Sequence, residues 1–437
     1  MLHNAIAGRT RAEIAVSVES AARAGRLPSG QRLPPIRELA EDLDVSPGTV
    51  AAAIATLRQR GVVVTGGRRG TFIASRTTLP TVAYDTVPTG VRDLAAGNPD
   101  PELLPRLPAL KRLLKWPTLY GEPADDPELV ASFRSEFESD GIDASWLTVV
   151  GGAMDGVERV LAAHLGPGDT VAVEDPGHAF VHDLIAAMGL RHKPLAVDDS
   201  GPVPASLQVA LDGGVDALVL TPRAQNPLGA ALDDERVAEL TRILDDHPVV
   251  LILEDDHAAH VAGAPARTLT GGRRRWAVVR SVSKVLGPDL RLAALAGDET
   301  TIGRVVGRRL VGTGWVSHVL QRLTVAIRHD PTTAPLLDRA ERTYEQRRNS
   351  LLDALATHDI PAHGRSGLSV WVPVRRELPV VQALREAGWA VIPGERFRLD
   401  APPGIRITTA ALEPNDATRL ADALATILTS QPRSRTP

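Results

Sequence analysis

Apolar residues near the N-terminus recur at the spacing of an α-helix. Ile14, Val18 and Ala21 share one face of a helix predicted over residues 10–24, which the Gly- and Pro-rich run GRLPSGQRLPP ends near Gly25. A second stripe with the same period follows at Ile36, Leu39, Ala40 and Leu43. The pattern therefore predicts two successive amphipathic helices.

A third helix and a hairpin are predicted directly afterwards. Ser46 suits the N-cap and Pro47 the first helical position, so this helix begins at the Pro and stops at Gly61. The runs VVVT and TFIA are strand candidates on either side of the basic, Gly-rich tip GGRRG. Residues 76–93 show no sustained period and contain two prolines, which is typical of a linker.

From about residue 146 onward, short apolar runs alternate with helical stretches. Five runs are strand candidates: LTVVGG, TVAVEDP, ALVLTP, VVLILEDD and WAVVRSVSK. Continuous apolar strands separated by helices predict a parallel sheet covered on both faces, and such sheets bind ligands at the carboxyl ends of their strands. The polar clusters GGAMD, EDPGH, TPRAQNP, EDDH and SVSK fall at those ends, so we expect them to converge on one pocket.

Composition adds a location and a polarity to this picture. The 437 residues carry a net charge of −4, but residues 1–75 hold ten Arg and six Asp or Glu, so the basic excess is N-terminal and favours a nucleic-acid partner there. No apolar run is long enough to span a bilayer and no signal pattern opens the chain, which predicts a cytoplasmic protein without membrane contact. Zero cysteines exclude disulfides, and no metal site is predicted.

The run LPPIRELAEDLDVSPGTVAAAIATLRQRGVVVTGGRRGTFI resembles the winged helix-turn-helix of the GntR family of bacterial regulators. In that motif the second helix presents its N-terminus to the DNA major groove. The resemblance implies a double-stranded DNA partner, an operator, contacted by Ser46, Gly48 and Thr49 at the helix start, by Arg37 on the preceding helix, and by Arg68 and Arg69 in the wing. Pro47 stands where the family usually has Arg, which removes one expected contact.

Residues 91–430 resemble the fold-type-I aminotransferases, and specifically the large domain of the MocR subfamily of GntR regulators. The resemblance rests on LAAGNPDPELLP, the strand ends above, SKVLGPDLRLA and YEQRRNSLLDAL. It implies an α/β fold with a mainly parallel sheet, a smaller C-terminal α+β subdomain from about residue 335, and a homodimer. The expected domains are 1–75 for DNA binding, 76–90 as linker and 91–437 for pyridoxal 5′-phosphate (PLP).

The aldehyde, pyridine nitrogen and phenolic oxygen of PLP each need a protein partner. By resemblance Lys284 forms the Schiff base, and it is the only lysine after residue 193. Asp255 pairs with the pyridine nitrogen, with Asp256 as the alternative one position along. Asn226 bonds the phenolic oxygen together with His257, which stands where most relatives have Tyr, and His178, where relatives also commonly have Tyr, lies over the ring.

The remaining expected cofactor contacts are to the phosphate. A helix N-terminus and Ser or Arg side chains suit such a group. The residues that the resemblance assigns to it are Gly152, Ala153, Met154, Ser281, Ser283 and Arg291, with Tyr120 reaching across from the partner subunit.

Arg406, in PPGIRITTA, resembles the arginine that binds a substrate carboxylate in this fold. The favoured function is a PLP-dependent transcription regulator that senses an amino-acid-like or amine effector by aldimine exchange. The alternatives are an aminotransferase with an accessory N-terminal domain and a regulator whose large domain has lost PLP. The intact helix-turn-helix pattern favours a regulator, and His257 in place of Tyr argues against a working enzyme.

Overall fold

The computed structural model describes residues 6–23, 26–28, 30–59, 62–65, 70–73, 87–106 and 118–430. These residues form two compact units. The first contains the described residues up to 73 together with 165–171 and 183–192, and the second contains the rest. Most of the predicted linker and the wing residues Arg68 and Arg69 lie outside the described residues.

The N-terminal elements are three helices and a hairpin. Their bounds are α1 (Arg11–Arg23), α2 (Ile36–Asp42), α3 (Pro47–Gln59), β1 (Val63–Thr65) and β2 (Thr71–Ile73). The two strands pair antiparallel. The third helix begins at Pro47 as predicted, because Ser46 Oγ accepts the Thr49 backbone N–H at 3.1 Å and thereby caps it.

One hydrophobic core joins these helices to the hairpin. Ile14, Val18 and Ala21 of α1 are fully buried in it together with Val50 and Leu57 of α3. The predicted stripes therefore face this core, with one exception. Ile36, the first residue of the seven-residue α2, is 38% exposed, whereas Leu39 and Ala40 of the same helix are buried.

An eight-stranded sheet forms the centre of the large part of the chain, in the order β4-β11-β10-β9-β8-β5-β6-β7. The strands are β4 (Leu147–Val150), β5 (Thr170–Asp175), β6 (Arg191–Asp198), β7 (Gly201–Pro202), β8 (Ala217–Leu220), β9 (Leu251–Asp256), β10 (Trp276–Ser281) and β11 (Ala293–Gly297). The pairs β8·β9 and β9·β10 are parallel. In contrast, β11 runs antiparallel to both its neighbours, so the sheet is mixed but mostly parallel.

Every residue of β8, β9, β10 and β11 is buried, which explains why these strands have no apolar–polar alternation. The accompanying helices are α4 (Pro127–Ser139), α5 (Ala153–His164), α6 (Ala179–Ala187), α7 (Pro204–Asp212), α8 (Asp234–Asp245), α9 (Glu299–Leu310) and α10 (His318–His329). Several begin at an aspartate whose side chain accepts a first-turn N–H: Asp126, Asp233 and Asp298.

A smaller α+β subdomain completes the fold. It contains α11 (Thr333–Ala356), β12 (Ser369–Pro373), α12 (Glu377–Glu386), β13 (Trp389–Ala390), β14 (Ile392–Pro393), β15 (Gly404–Thr408) and α13 (Pro414–Ser430). A three-stranded antiparallel sheet places β15 between β12 and β14. The short β3 (Arg92–Asp93) pairs with β13, and Leu94 packs into the hydrophobic core of this subdomain. No helix within the described ranges is long and apolar enough to cross a membrane.

Candidate functional site

The start of α3 and the surface of α2 carry the described part of the expected DNA interface. Arg37 is exposed on α2, and Ser46 and Gly48 are exposed at the beginning of α3. Ser46 Oγ also lies 2.9 Å from Thr49 Oγ1, so these two side chains are tied to each other as well as to the helix start. Pro47 has no N–H and the Thr49 N–H is bound by Ser46, so in the first turn of α3 the Gly48 N–H is the backbone donor that suits a phosphate oxygen.

Lys284 lies in the turn that follows β10, close to the carboxyl end of the sheet. Its Nζ donates a hydrogen bond to the Gly97 carbonyl oxygen at 2.5 Å. Burial, together with the nearby positive charge of Arg406, lowers the pKa of the Lys284 ammonium to about 8. A lysine of lowered pKa has a larger neutral fraction at neutral pH, and the neutral amine is the form that attacks an aldehyde.

The two aspartates at the end of β9 have different environments. Asp256 accepts hydrogen bonds from Arg223 at 2.8 and 2.9 Å and from Arg280 Nε at 2.8 Å. Asp255 points to the opposite face of the strand. Its side chain is buried, and its Oδ1 accepts no hydrogen bond from any residue that the structure describes.

Burial and the Asp256 charge raise the pKa of the Asp255 carboxyl to about 7. A buried carboxylate oxygen without a donor is costly, so the site calls for a donor from a bound group. The protonated pyridine nitrogen of PLP is such a donor. Because the Asp256 carboxylate is already bound by two arginines, Asp255 fits the cofactor better than its neighbour does.

Asn226 and Arg406 come together from different parts of the fold. Arg406 lies on β15 and is buried, and its Nη1 donates to Asn226 Oδ1 at 3.1 Å. Its Nη2 donates to the Ala95 carbonyl oxygen, and its guanidinium carbon lies 4.8 Å from the centre of the Phe397 ring. No carboxylate of the described residues lies within ion-pair distance of it. Burial lowers its pKa to about 10, and the charge of Asp93 offsets part of this shift. Arg406 is therefore a buried cation to which no anionic side chain of the described residues is directly bound.

Two histidines share this pocket with Lys284. Burial is the main cause that lowers the pKa of His257 to about 4, and the Lys284 charge contributes. The pKa of His178 falls to about 3, first through burial and then through the charges of His257, Lys284 and Arg406. Both imidazoles are therefore neutral near pH 7, when each can donate one hydrogen bond and accept one.

The expected phosphate site lies where α5 begins. Ala153 and Met154 start this helix, and Gly152 precedes it with φ of +105°. A Cβ built on Gly152 would lie 3.0 Å from Arg291 Nη2. The Arg291 guanidinium therefore packs close to the Gly152 backbone, and a side chain at position 152 would disturb this contact. Ser281 is the last residue of β10 and Ser283 directly precedes Lys284, and their Oγ atoms lie 3.1 Å apart.

These features form a cradle that fits PLP: an amine for its aldehyde, an unpaired buried carboxylate for its nitrogen, and a helix start with an arginine for its phosphate. Tyr120 is not part of this set within one chain. It is 93% exposed, and its ring packs edge-on against Trp315 at 5.6 Å.

Replacing Gly152 with alanine is expected to weaken PLP binding by about tenfold, because the side chain forces either the φ of +105° or Arg291 to change. The PLP dissociation constant, measured by absorbance titration of the PLP-free protein, tests this. Gly271→Ala is the matched control, since a Cβ there meets nothing within 4 Å. Equal dissociation constants for Gly152→Ala and the control would contradict the phosphate assignment.

Several residues of the pocket have no counterpart in the sequence prediction. The carbonyl groups of Ala95 and Gly97, which bind the two cations, act through the backbone and leave no residue-type signal. Phe397 lies in the irregular segment before β15. Asp155 accepts the Gly151 N–H at 2.8 Å and is paired with Arg159, so the helix start is partly capped from within.

Comparisons with known proteins agree with this division of the chain. Residues 10–73 match the gntR family of bacterial regulatory proteins, and residues 128–424 match the aminotransferase class I and II family. The vitamin B6 salvage pathway transcriptional repressor PtsJ of Salmonella typhimurium is 38% identical over 420 residues, which cover 95% of this chain and 98% of that protein. The HTH-type transcriptional regulator TauR of Rhodobacter capsulatus is 27% identical over 85% of this chain and 86% of its own.

Solved aminotransferases share the fold of the large part of the chain. The α-aminoadipate aminotransferase LysN of Thermus thermophilus, solved with N-(5′-phosphopyridoxyl)-L-leucine, superposes with a TM-score of 0.68 at 20% identity, covering 78% of this chain and 92% of its own. An archaeal alanine:glyoxylate aminotransferase gives 0.71 at 21% identity over 78% and 91%. PLP is therefore the cofactor of the large domain. The chain belongs to the MocR subfamily of GntR-type transcription regulators, which join a winged helix-turn-helix to a fold-type-I aminotransferase domain.

Proposed function

We propose that the protein regulates transcription by coupling the ligand state of its PLP pocket to operator binding by its N-terminal helices. One observation carries the proposal: the chain that has the exposed α3 start of a DNA reader also has the buried Lys284 after β10 and, at the end of the neighbouring β9, the buried Asp255 whose Oδ1 has no donor among the described residues. Bound PLP supplies an aldehyde carbon that reacts reversibly with primary amines. A pocket of this kind suits a sensor for amine-bearing metabolites.

The effector that fits best carries both a primary amine and an anionic group. An amine is the group that exchanges with Lys284 at the cofactor. Arg406 supplies the second requirement, because a buried guanidinium without a carboxylate partner gains most from binding a carboxylate through its planar fork. An amino-acid-like molecule meets both.

A second candidate is PLP itself as the signal. The 38% identical relative is a transcriptional repressor of the vitamin B6 salvage pathway, and its likeness spans nearly the whole of both chains. In this case filling of the pocket by PLP, rather than a later amine, changes operator affinity. Separate additions of PLP and of amino acids to the PLP-free protein distinguish the two.

An enzymatic role is the weaker alternative. His257 occupies the position where the resemblance leads us to expect a tyrosine, and burial and the Lys284 charge keep it neutral. A neutral imidazole can still bond the phenolic oxygen, so slow transamination is compatible with the site. The domains in this proposal are 1–75, 76–90 and 91–437, and the DNA-binding role implies a cytoplasmic homodimer on a two-fold operator.

Arg37→Ala is expected to weaken operator binding and to reduce the salt dependence by about one phosphate contact, because Arg37 is exposed on the helix that precedes the reading helix. Fluorescence anisotropy with an operator selected from genomic fragments, repeated at several salt concentrations, measures both effects. Arg342→Ala, a change of an exposed arginine on α11, is the control. Identical salt slopes for the two variants would remove Arg37 from the interface.

A further inference from the structure

Asp175, at the end of β5, holds a distant stretch of backbone. Its Oδ1 accepts the Leu399 N–H at 2.8 Å, and its Oδ2 accepts the N–H groups of Asp400 and Ala401 at 2.7 and 2.8 Å. Asp175 is 5% exposed, and no cationic side chain among the described residues lies within ion-pair distance of its carboxylate. The Asp175 carboxylate therefore accepts from three backbone N–H groups and pairs with no described cation, which is how an anion is bound in a backbone nest.

The segment that Asp175 holds leads directly to the Arg406 site. Gly177, two residues after Asp175, donates its N–H to the Phe397 carbonyl oxygen at 2.7 Å. The Phe397 ring in turn lies 4.8 Å below the guanidinium carbon of Arg406. The loop after β5 also carries His178, on which the charges of Lys284 and Arg406 both act, so this loop lies near the amine end and the anion end of the site.

A second carboxylate fixes the other side of this segment. Glu377 is buried and accepts the Glu395 N–H at 2.6 Å, on the N-terminal side of Phe397. It also accepts the Gly404 N–H at 3.2 Å and Arg398 Nε at 2.8 Å, both after Phe397 in the chain. Phe397 therefore lies between two points at which a buried carboxylate binds backbone N–H groups. Its ring has little freedom, because both flanks of its backbone are bound and the side chain is 3% exposed.

We propose that Asp175 is a positioning residue for Arg406: by fixing residues 399–401 it sets the Phe397 ring, and thereby the direction in which the guanidinium meets an anionic ligand group. Arg406 has only two hydrogen-bond acceptors, Asn226 Oδ1 and the Ala95 carbonyl, and its Nε has none among the described residues. With so few contacts, the stacked ring is a main determinant of its orientation. The inference rests on the proposed function of Arg406 as the anion contact.

Asp175→Asn is a sharp test because it preserves shape. The amide retains one acceptor oxygen but turns an NH₂ group toward backbone N–H donors. At least one of the three backbone N–H groups therefore loses its acceptor. Phe397→Leu is the second variant, which removes the ring but keeps the site apolar. Asp143→Asn is the control, since Asp143 accepts the Ser145 N–H in an exposed turn that precedes the amino end of β4.

The readout is discrimination between acids and plain amines. The PLP-loaded full-length proteins are titrated with L-alanine and ethylamine, and with L-phenylalanine and 2-phenylethylamine, following the visible absorbance. In Asp175→Asn and Phe397→Leu we expect the preference for the amino acid over its amine to fall by about tenfold to a hundredfold. Amine affinity and PLP affinity should stay near the wild-type values, and Asp143→Asn should match the wild type throughout.

Combination with Arg406→Ala separates the possible failures. If Asp175 acts through Arg406, Asp175→Asn changes discrimination no further in the Arg406→Ala background. If Arg406→Ala lowers discrimination but Asp175→Asn and Phe397→Leu do not, the positioning inference is wrong while the anion site stands. If the wild type does not discriminate, or Arg406→Ala leaves discrimination unchanged, the proposed function of Arg406 fails and the inference fails with it.

Discussion

Lys284→Ala is expected to abolish the visible absorbance of the imine that links PLP to the protein and to leave the protein folded. The side chain makes one described hydrogen bond, to the Gly97 carbonyl, and its burial disfavours the charged ammonium, so little stability depends on it. The free energy of unfolding should change by no more than about 1–2 kcal/mol. The covalent link to the cofactor, in contrast, has no substitute among the nearby side chains, because both histidines there are weak nucleophiles toward an aldehyde.

Lys193→Ala is the matched control, since Lys193 lies on β6 and is the other lysine that the structure describes. The measurement is the absorbance spectrum of each purified variant after incubation with PLP and removal of the excess, together with a thermal unfolding curve. An imine band that survives in Lys284→Ala would show that another amine of the protein holds the cofactor. Loss of the band in both variants would point to a general defect.

Arg406→Ala is expected to abolish the response to amino acids while the PLP absorbance remains. The guanidinium is buried and has no carboxylate partner among the described residues, so a ligand carboxylate placed there without it is desolvated and unpaired. Truncating one partner of such a pair costs about 2–5 kcal/mol, which is roughly 30-fold to several-thousand-fold in affinity. Plain amines should bind the variant as they bind the wild type.

Arg406→Lys refines this test, because a lysine keeps the charge but cannot form the planar fork. We expect it to recover only part of the amino-acid affinity. The measurement is the amino-acid dissociation constant from absorbance titration, with Arg342→Ala as the exposed-arginine control. An Arg406→Ala variant that binds amino acids as tightly as the wild type would place the anion contact elsewhere.

Local patterns predicted the elements of this fold better than their arrangement. The start of α3 follows from Ser46 and Pro47, whose side chain and ring act within one turn. The buried strands follow from their unbroken apolar runs. The antiparallel direction of β11 does not follow from the sequence, because AALAG is equally apolar in either direction. The strands on its two sides, β4 and β10, are also far from each other in sequence.

The sequence likewise predicted the residues of the pocket better than it predicted their contacts. Family resemblance pointed to Lys284, Asp255 and Arg406. In the structure the charges of Lys284 and Arg406 interact, and Asp255 lies at the end of β9, the strand beside the one that leads to Lys284. The choice between Asp255 and Asp256 depends on which side of β9 the arginines occupy, and that is a property of the packed sheet. The contacts of Asp175 join residues more than two hundred positions apart through backbone N–H groups, which carry no sequence signal.

The coupling between pocket and operator is measured most directly by the operator dissociation constant at fixed salt, for PLP-free protein, PLP-loaded protein, and PLP-loaded protein with the amino acid that changes its spectrum. We expect at least one of these additions to shift the constant by about five- to 150-fold in the wild type, the range of a typical coupling free energy. Lys284→Ala should bind the operator but show no shift on adding the amino acid. Operator dissociation constants that are the same in all three wild-type states would contradict a regulator controlled through its PLP pocket.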